Sequence, residues 1–290
     1  MNHILENENW TVKTKEVGAE LTSIQNKSTG REYLWQGDPN VWAGQAPILF
    51  PIVGRLKNDQ YRAEGSTYAM KQHGFARRSN FSVLEQNRQQ LHFGLTADSK
   101  STEMYPYNFV LDVVYQLQEN EIKVTYTVTN KDQKKMPFSI GAHPAFAIPR
   151  IVDKQVREYH LIFSQPESLD RHFIENGLVS GETQALLDHE DQLVLHPKLF
   201  ERDAIIFKGH QSEYVSLVCQ NDGTKLVEMD VRGYPYLGIW QKAGAEYICI
   251  EPWYGIHDAE DSTGEIEMKE GIQLLEAGKS FECSYGIRLF

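Results

Sequence analysis

Leu111-Asp112-Val113-Val114-Tyr115-Gln116-Leu117-Gln118-Glu119-Asn120-Glu121-Ile122-Lys123-Val124-Thr125-Tyr126-Thr127-Val128 repeats with a period of two on either side of a polar break. Leu111, Val113, Tyr115 and Leu117 share one face of the first run; Ile122, Val124, Tyr126 and Val128 share one face of the second. Successive side chains of a strand point to opposite faces, so this is the pattern of two half-buried antiparallel strands turning through Gln118–Glu121.

The same period extends outward in both directions. Upstream, Leu91, Phe93 and Leu95 alternate, and Ala19–Leu21 and Tyr33–Trp35 read as short strands around a Lys27-Ser28-Thr29-Gly30 turn. Downstream, Asn221-Asp222-Gly223-Thr224 signals a second hairpin between Tyr214–Gln220 and Lys225–Val231. Tyr236–Trp240 and Glu246–Glu251 follow at strand length, and Phe281, Cys283, Tyr285, Ile287 and Leu289 share a face at the end of the chain. Ala46–Arg55 is apolar but broken by Pro47 and Pro51, so it is an extended segment rather than a central strand. Asp98–Met104 is the one place for a turn or two of helix, and Ile151–Leu199, the least patterned stretch, reads as long loops. No repeat, low-complexity tract or linker divides the chain. The expectation is an all-β protein, a large antiparallel β-sandwich with little helix, forming a single domain over residues 1–290.

Composition narrows the function. With 29 basic and 40 acidic side chains the net charge is −11, which disfavours nucleic acid and anionic membranes as partners. No run of 18 apolar residues occurs, and the polar, acidic start Met1–Trp10 is unlike a signal peptide, so a soluble cytoplasmic protein is expected. Three cysteines at wide spacing, without a CxxC pair, argue against a disulfide framework and a thiolate zinc site. One window runs against the overall charge: Arg55, Lys57, Arg62, Lys71, Arg77 and Arg78 face only Asp59 and Glu64. It is either a solvated face or the place where an anionic or hydroxyl-rich ligand docks.

Three acid–base candidates stand out. In Pro137–Phe146, His143 is followed by Pro144, which pushes it towards extended geometry, and Gly141 permits close backbone approach. Such a histidine is either a packed strand-end residue or an aimed imidazole. In Tyr247-Ile248-Cys249-Ile250-Glu251-Pro252-Trp253, alternation places Tyr247, Cys249 and Glu251 on one face. Glu251 is then a surface strand-end residue, or a partly desolvated carboxyl with a raised pKa and the makings of a base. Asp203 precedes the apolar run Ala204–Phe207 as a turn residue or a ligand group. No nucleophile elbow, phosphate loop, HxH or HExxH motif is present. His73, His143 and Glu251 offer the donor types of a two-histidine, one-carboxylate site, but no spacing supports it, and no metal or cofactor is expected.

These pieces occur within a series of motifs: Phe50–Arg55, His73-Gly74-Phe75-Ala76-Arg77, Gly141–Phe146, Asp203–Phe207, Pro235–Trp240 and Cys249–Trp253. In that order they resemble the aldose 1-epimerase (galactose mutarotase) superfamily, and its LacX-like branch most. The resemblance implies a β-supersandwich with a concave site, in which Glu251 is the general base and His143 the general acid. Arg55 and His73 are then sugar-hydroxyl binders, with Asp203 gripping a further hydroxyl. It also implies a cofactor-independent isomerase acting on a small sugar or sugar phosphate. The alternative is a carbohydrate-binding protein of the same fold, in which the same groups only hold hydroxyls. His257-Asp258, in the polar stretch after Glu251, reads as surface.

Overall fold

Leu117 pairs with Ile122, Tyr115 with Val124, Val113 with Tyr126 and Leu111 with Val128, so the two alternating faces coincide. Glu119 takes positive φ at the turn. The final strand joins in the same register: Ile287, Tyr285, Cys283 and Phe281 lie opposite Ile122, Val124, Tyr126 and Val128. Four apolar rows therefore cross three strands, and cross-strand rows of this kind are what stabilise a sheet. Between two neighbouring rows the Tyr126 and Tyr285 hydroxyls meet at 3.3 Å.

The computed structural model describes residues 1–149, 151–152, 155–156 and 158–290. Fifteen strands form its main sheet. In chain order the first seven are β1 (Ile48–Leu49), β2 (Ser82–Gln86), β3 (Gln90–Thr96), β4 (Phe109–Gln118), β5 (Glu121–Asn130), β6 (Ile140–Ala142) and β7 (Ala145–Ala147). The long pair β8 (Tyr159–Glu175) and β9 (Leu178–Val194) follows. The rest are β10 (Ile205–Lys208), β11 (Tyr214–Cys219), β12 (Lys225–Asp230), β13 (Tyr236–Trp240), β14 (Tyr247–Tyr254) and β15 (Ser280–Leu289). The spatial order is β1-β6-β14-β13-β10-β8-β11-β12-β15-β5-β4-β3-β2, with β7 also on β14 and β9 on β8. A three-stranded sheet of Asn2–Glu6, Trp10–Lys15 and Glu20–Asn26 accompanies it. The fold is the expected all-β antiparallel sandwich, and Ser99–Met104, capped by Asp98, is its one α-helix among the described residues. No described helix is long and apolar enough to cross a membrane.

Two expectations need correction. Tyr33–Trp35 makes only a bridge, Leu34 to Phe146, rather than a strand. Within Ile151–Leu199, part of which lies outside the described residues, the long loops are instead the 17-residue strands β8 and β9. Their alternation is hidden because the pairing slips at several bulges and β9 is mostly solvent-facing. The turn between them, Asn176-Gly177, has positive φ at both residues and is a hairpin-forming Asn-Gly dipeptide.

Leu117, on β4 opposite Ile122 of β5, sits fully buried in the main core. Leu117→Ala should cost about 2–5 kcal/mol, read as a lower urea midpoint with an unchanged m-value. A loss below roughly 1 kcal/mol would mean that this row is not packed as described.

Candidate functional site

Gly141 lies opposite Trp253, and Ala145 opposite Cys249, on the two short strands that flank His143. Antiparallel partners keep a constant sum of residue numbers, here 394, so position 143 falls opposite position 251. Pro144 and Pro252, which cannot donate to a ladder, sit beside the two residues where the pairing is interrupted. His143 Nε2 and Glu251 Oε2 consequently lie 3.3 Å apart, without an aligned hydrogen bond. Gly141 is required here because a Cβ would stand 2.6 Å from the Trp253 ring.

β14 is buried on both faces. Ile248 and Ile250 point into the main core. On the opposite face Tyr247 and Cys249 belong to a small aromatic cluster with Trp35, Trp42 and Trp240, and Trp253 belongs to another. Glu251 stands between these clusters. On β13, Gly238 is its cross-strand partner and contributes no side chain, while Trp240 lies beside Cys249. The result is a hollow of about 330 Å³, at the small end of ligand pockets, lined by Trp42, Gln72, His73, Arg77, His143, Asp203, Ala204, Trp240, Glu251, Trp253 and His257. The Trp42 ring stacks on His143, with ring centroids 5.1 Å apart, and Trp240 meets the imidazole edge-on.

Four buried polar atoms of these lining residues lack a hydrogen-bond partner: His143 Nδ1, Glu251 Oε2, Arg77 Nε and Trp253 Nε1. Buried polar groups are ordinarily satisfied, so their concentration around one hollow marks it as a place for a polar ligand. The neighbouring groups are fixed. The Gly54 N–H donates to His73 Nδ1 at 3.1 Å, which leaves the neutral imidazole's proton on Nε2.

Burial dominates the electrostatics. It pushes the Glu251 carboxyl well above the usual carboxylate range, and the Asp203 carboxylate adds to the effect. It pushes the His143 imidazole down to about 3 and His257 down to about 4. His73 is also held well below its ordinary value, by burial first and then by His143 and His257. Burial thus favours the uncharged form of both groups, with the exchangeable proton on the carboxyl. Moving that proton to the imidazole gives the carboxylate–imidazolium form, with the same total charge. One ligand atom each from His143, Cys249 and Glu251 also lie within 4.8 Å of one another, a grouping of metal-ligand types that sequence spacing does not signal.

Of the five candidates from sequence, His73, His143, Asp203 and Glu251 line the hollow. Asp203 stands at its exposed rim with positive φ. Arg55 is not among the lining residues: its guanidinium is held by Asp59 at 2.8 Å and by the Asn176 carbonyl at 3.2 Å. The lining arginine is Arg77, four residues after His73 in the same quoted motif. His257-Asp258 is not surface. Both residues are buried, and His257 lines the hollow. Trp42 carried no signal in the sequence, since it comes from an irregular loop.

The family model for aldose 1-epimerase matches residues 2–266, and the chain belongs to that family, as its motifs implied. Within the family it falls in the LacX-like branch. It is 35% identical over 295 residues to the chromosomal LacX protein of Lactococcus lactis subsp. lactis, covering 98% of each chain, and equally to the plasmid-borne LacX. Among solved structures it is similar to a galactose mutarotase related enzyme from Lactobacillus acidophilus, with TM-score 0.95 and 31% identity over 100% of this chain and 97% of that one. A galactose mutarotase-like protein from Lactobacillus casei superposes with TM-score 0.94 and 30% identity over 100% of both chains.

Proposed function

We propose that this protein interconverts the α and β anomers of an aldose by acid–base opening and closing of the pyranose ring. The observation that carries the reading is the 3.3 Å separation of His143 Nε2 and Glu251 Oε2 at the wall of a sugar-sized hollow. Ring opening removes a proton from the anomeric hydroxyl and adds one to the ring oxygen. Those two oxygens share one carbon, so the two proton-transfer groups must themselves be near neighbours. Glu251 as carboxylate takes the anomeric proton while His143 as imidazolium donates to the ring oxygen. The C1–O5 bond breaks and the C1–O1 bond becomes the aldehyde carbonyl. The aldehyde turns about C1–C2, and closure on its other face returns both protons. The pair holds one proton before and after, so the neutral resting pair needs only an internal transfer to enter the cycle. Each positioned group contributes about 10²–10⁴ in rate.

In this reading His73 and Asp203 bind hydroxyls, and the indoles of Trp42 and Trp240 pack against the apolar ring face. The basic window does not converge on the sugar. Arg62 is paired with Glu265, and Lys71 and Arg55 share Asp59. A phosphate group would depend on Arg77. The test is anomer-exchange NMR on a panel of free and 6-phosphorylated aldoses. If the substrate is phosphorylated, Arg77→Met should raise KM for the phosphate ester at least tenfold and leave a free aldose unaffected. Equal rates for the two sugars would remove the phosphate. No catalysed exchange with any aldose would leave only a sugar-binding role.

A further inference from the structure

Cys249 precedes Glu251 by two residues on the same face of β14, and the proton-transfer scheme gives it no task. It is fully buried, and its sulfur lies with a nitrogen of His143 and an oxygen of Glu251 inside the 4.8 Å span already described. His143 Nδ1 and Glu251 Oε2, on side chains at least nine-tenths buried, have no hydrogen-bond partner. From this juxtaposition we propose that His143, Cys249 and Glu251 form a binding site for a thiophilic divalent cation, with zinc the best match.

The donor set selects the ion. One thiolate, one imidazole and one carboxylate suit a borderline-soft metal, whereas magnesium and calcium want oxygen alone. Zinc with three protein ligands and an open fourth position is a common arrangement. Tetrahedral bonds of about 2.0–2.3 Å place ligand atoms roughly 3.3–3.8 Å apart, so the trio must close by about 1 Å, within reach of side-chain rotation. Charge balance favours the ion as well. Binding removes the protons of Cys249 and Glu251 to solvent, and two anions with one dication leave a neutral cluster in surroundings that tolerate no net charge. His143 and Glu251 line the hollow, which supplies the entry path.

Such an ion would occupy both groups of the acid–base pair, so it acts as an inhibitor rather than a cofactor. That consequence rests on the mechanism proposed above, whereas the site itself does not.

The experiment is titration of the reduced, metal-free full-length protein with cobalt(II), followed by zinc. One equivalent of cobalt should give thiolate-to-metal charge-transfer absorption that zinc abolishes by displacement. Absence of the band, or retention of less than half an equivalent of zinc on desalting, overturns the site. Cys249→Ala should lose the band. Its survival in that variant would assign it to Cys219 or Cys283 and overturn the proposal. If Cys249→Ala does not fold, Glu251→Gln, which replaces a neutral carboxyl by a neutral amide, should weaken cobalt binding at least tenfold, and unchanged affinity overturns it. In a parallel exchange assay, one equivalent of zinc should lower the rate at least tenfold, with recovery on adding EDTA. Stoichiometric binding with an unchanged rate would uphold the site and reject the catalytic role of the pair.

Discussion

Glu251→Gln should lower the catalysed anomer-exchange rate by about 10²–10⁴, equivalent to roughly 3–5 kcal/mol of transition-state stabilisation. The fold should survive, because burial already favours the uncharged carboxyl and the amide is a neutral replacement of similar shape. Glutamine cannot exchange a proton with the anomeric oxygen, and a sugar held by His73, Asp203 and the indoles should still bind. The loss therefore belongs in kcat, with KM within a few-fold of the parent. His143→Asn should fall by a similar factor. The two groups act as a unit around one proton, so the double variant should be little worse than either single one. Three measurements decide the matter: exchange NMR under saturation, sugar binding by calorimetry, and the thermal midpoint. Glu251→Gln with exchange within threefold of the parent would end the acid–base assignment. Additive losses in the double variant would mean two independent roles instead of a shared proton.

Much of this arrangement was legible in the sequence, for reasons that differ by residue. The β4–β5 hairpin was readable because one face is buried and one is wet, so alternation survives. Glu251 could be placed on the Cys249 face by the same argument. Its position opposite His143 could not, because it depends on the pairing of β6 and β7 with β14 across more than a hundred residues. Arg55 was drawn towards the sugar by its motif, although Asp59, four residues on, was in plain view as a competing partner. Arg77 lay in the same basic window with no carboxylate so near. The β8–β9 ribbon was missed because bulges break its period, although the dipeptide at its tip was a sufficient signal. His257-Asp258 was missed for a different reason. A polar pair after an apolar strand looks like a surface loop unless something elsewhere neutralises the carboxylate, and that partner, Lys269, is eleven residues away with no local pattern linking the two.

Lys269→Met should therefore be one of the most damaging substitutions outside the hollow. Lys269 Nζ lies 3.0 Å from Asp258 Oδ1 and also donates to the Ile256 carbonyl, with both side chains almost fully enclosed. The other carboxylate oxygen accepts the Lys57 N–H at 3.0 Å and the Ser262 hydroxyl at 3.2 Å. Removing the ammonium leaves Asp258 with these neutral donors only. A buried charge stripped of its partner costs about 3–5 kcal/mol, even where the intact pair adds little net stability. At about 2–4 °C per kcal/mol, the thermal midpoint should drop by on the order of 10 °C. Lys269→Met with Asp258→Asn should recover most of that loss, since no charge is then stranded. The local consequence reaches the site. Asp258 N–H donates to the Arg55 carbonyl and Val179 N–H to the Asp258 carbonyl, so this pair fixes the turn that carries His257 to the hollow. The single variant should therefore bind sugar more weakly even below its melting transition, and the double variant should regain binding together with stability. A single variant less than 1 kcal/mol below the parent would show that the ammonium does not compensate the Asp258 carboxylate. Recovery of stability without recovery of binding would detach the ion pair from the position of His257.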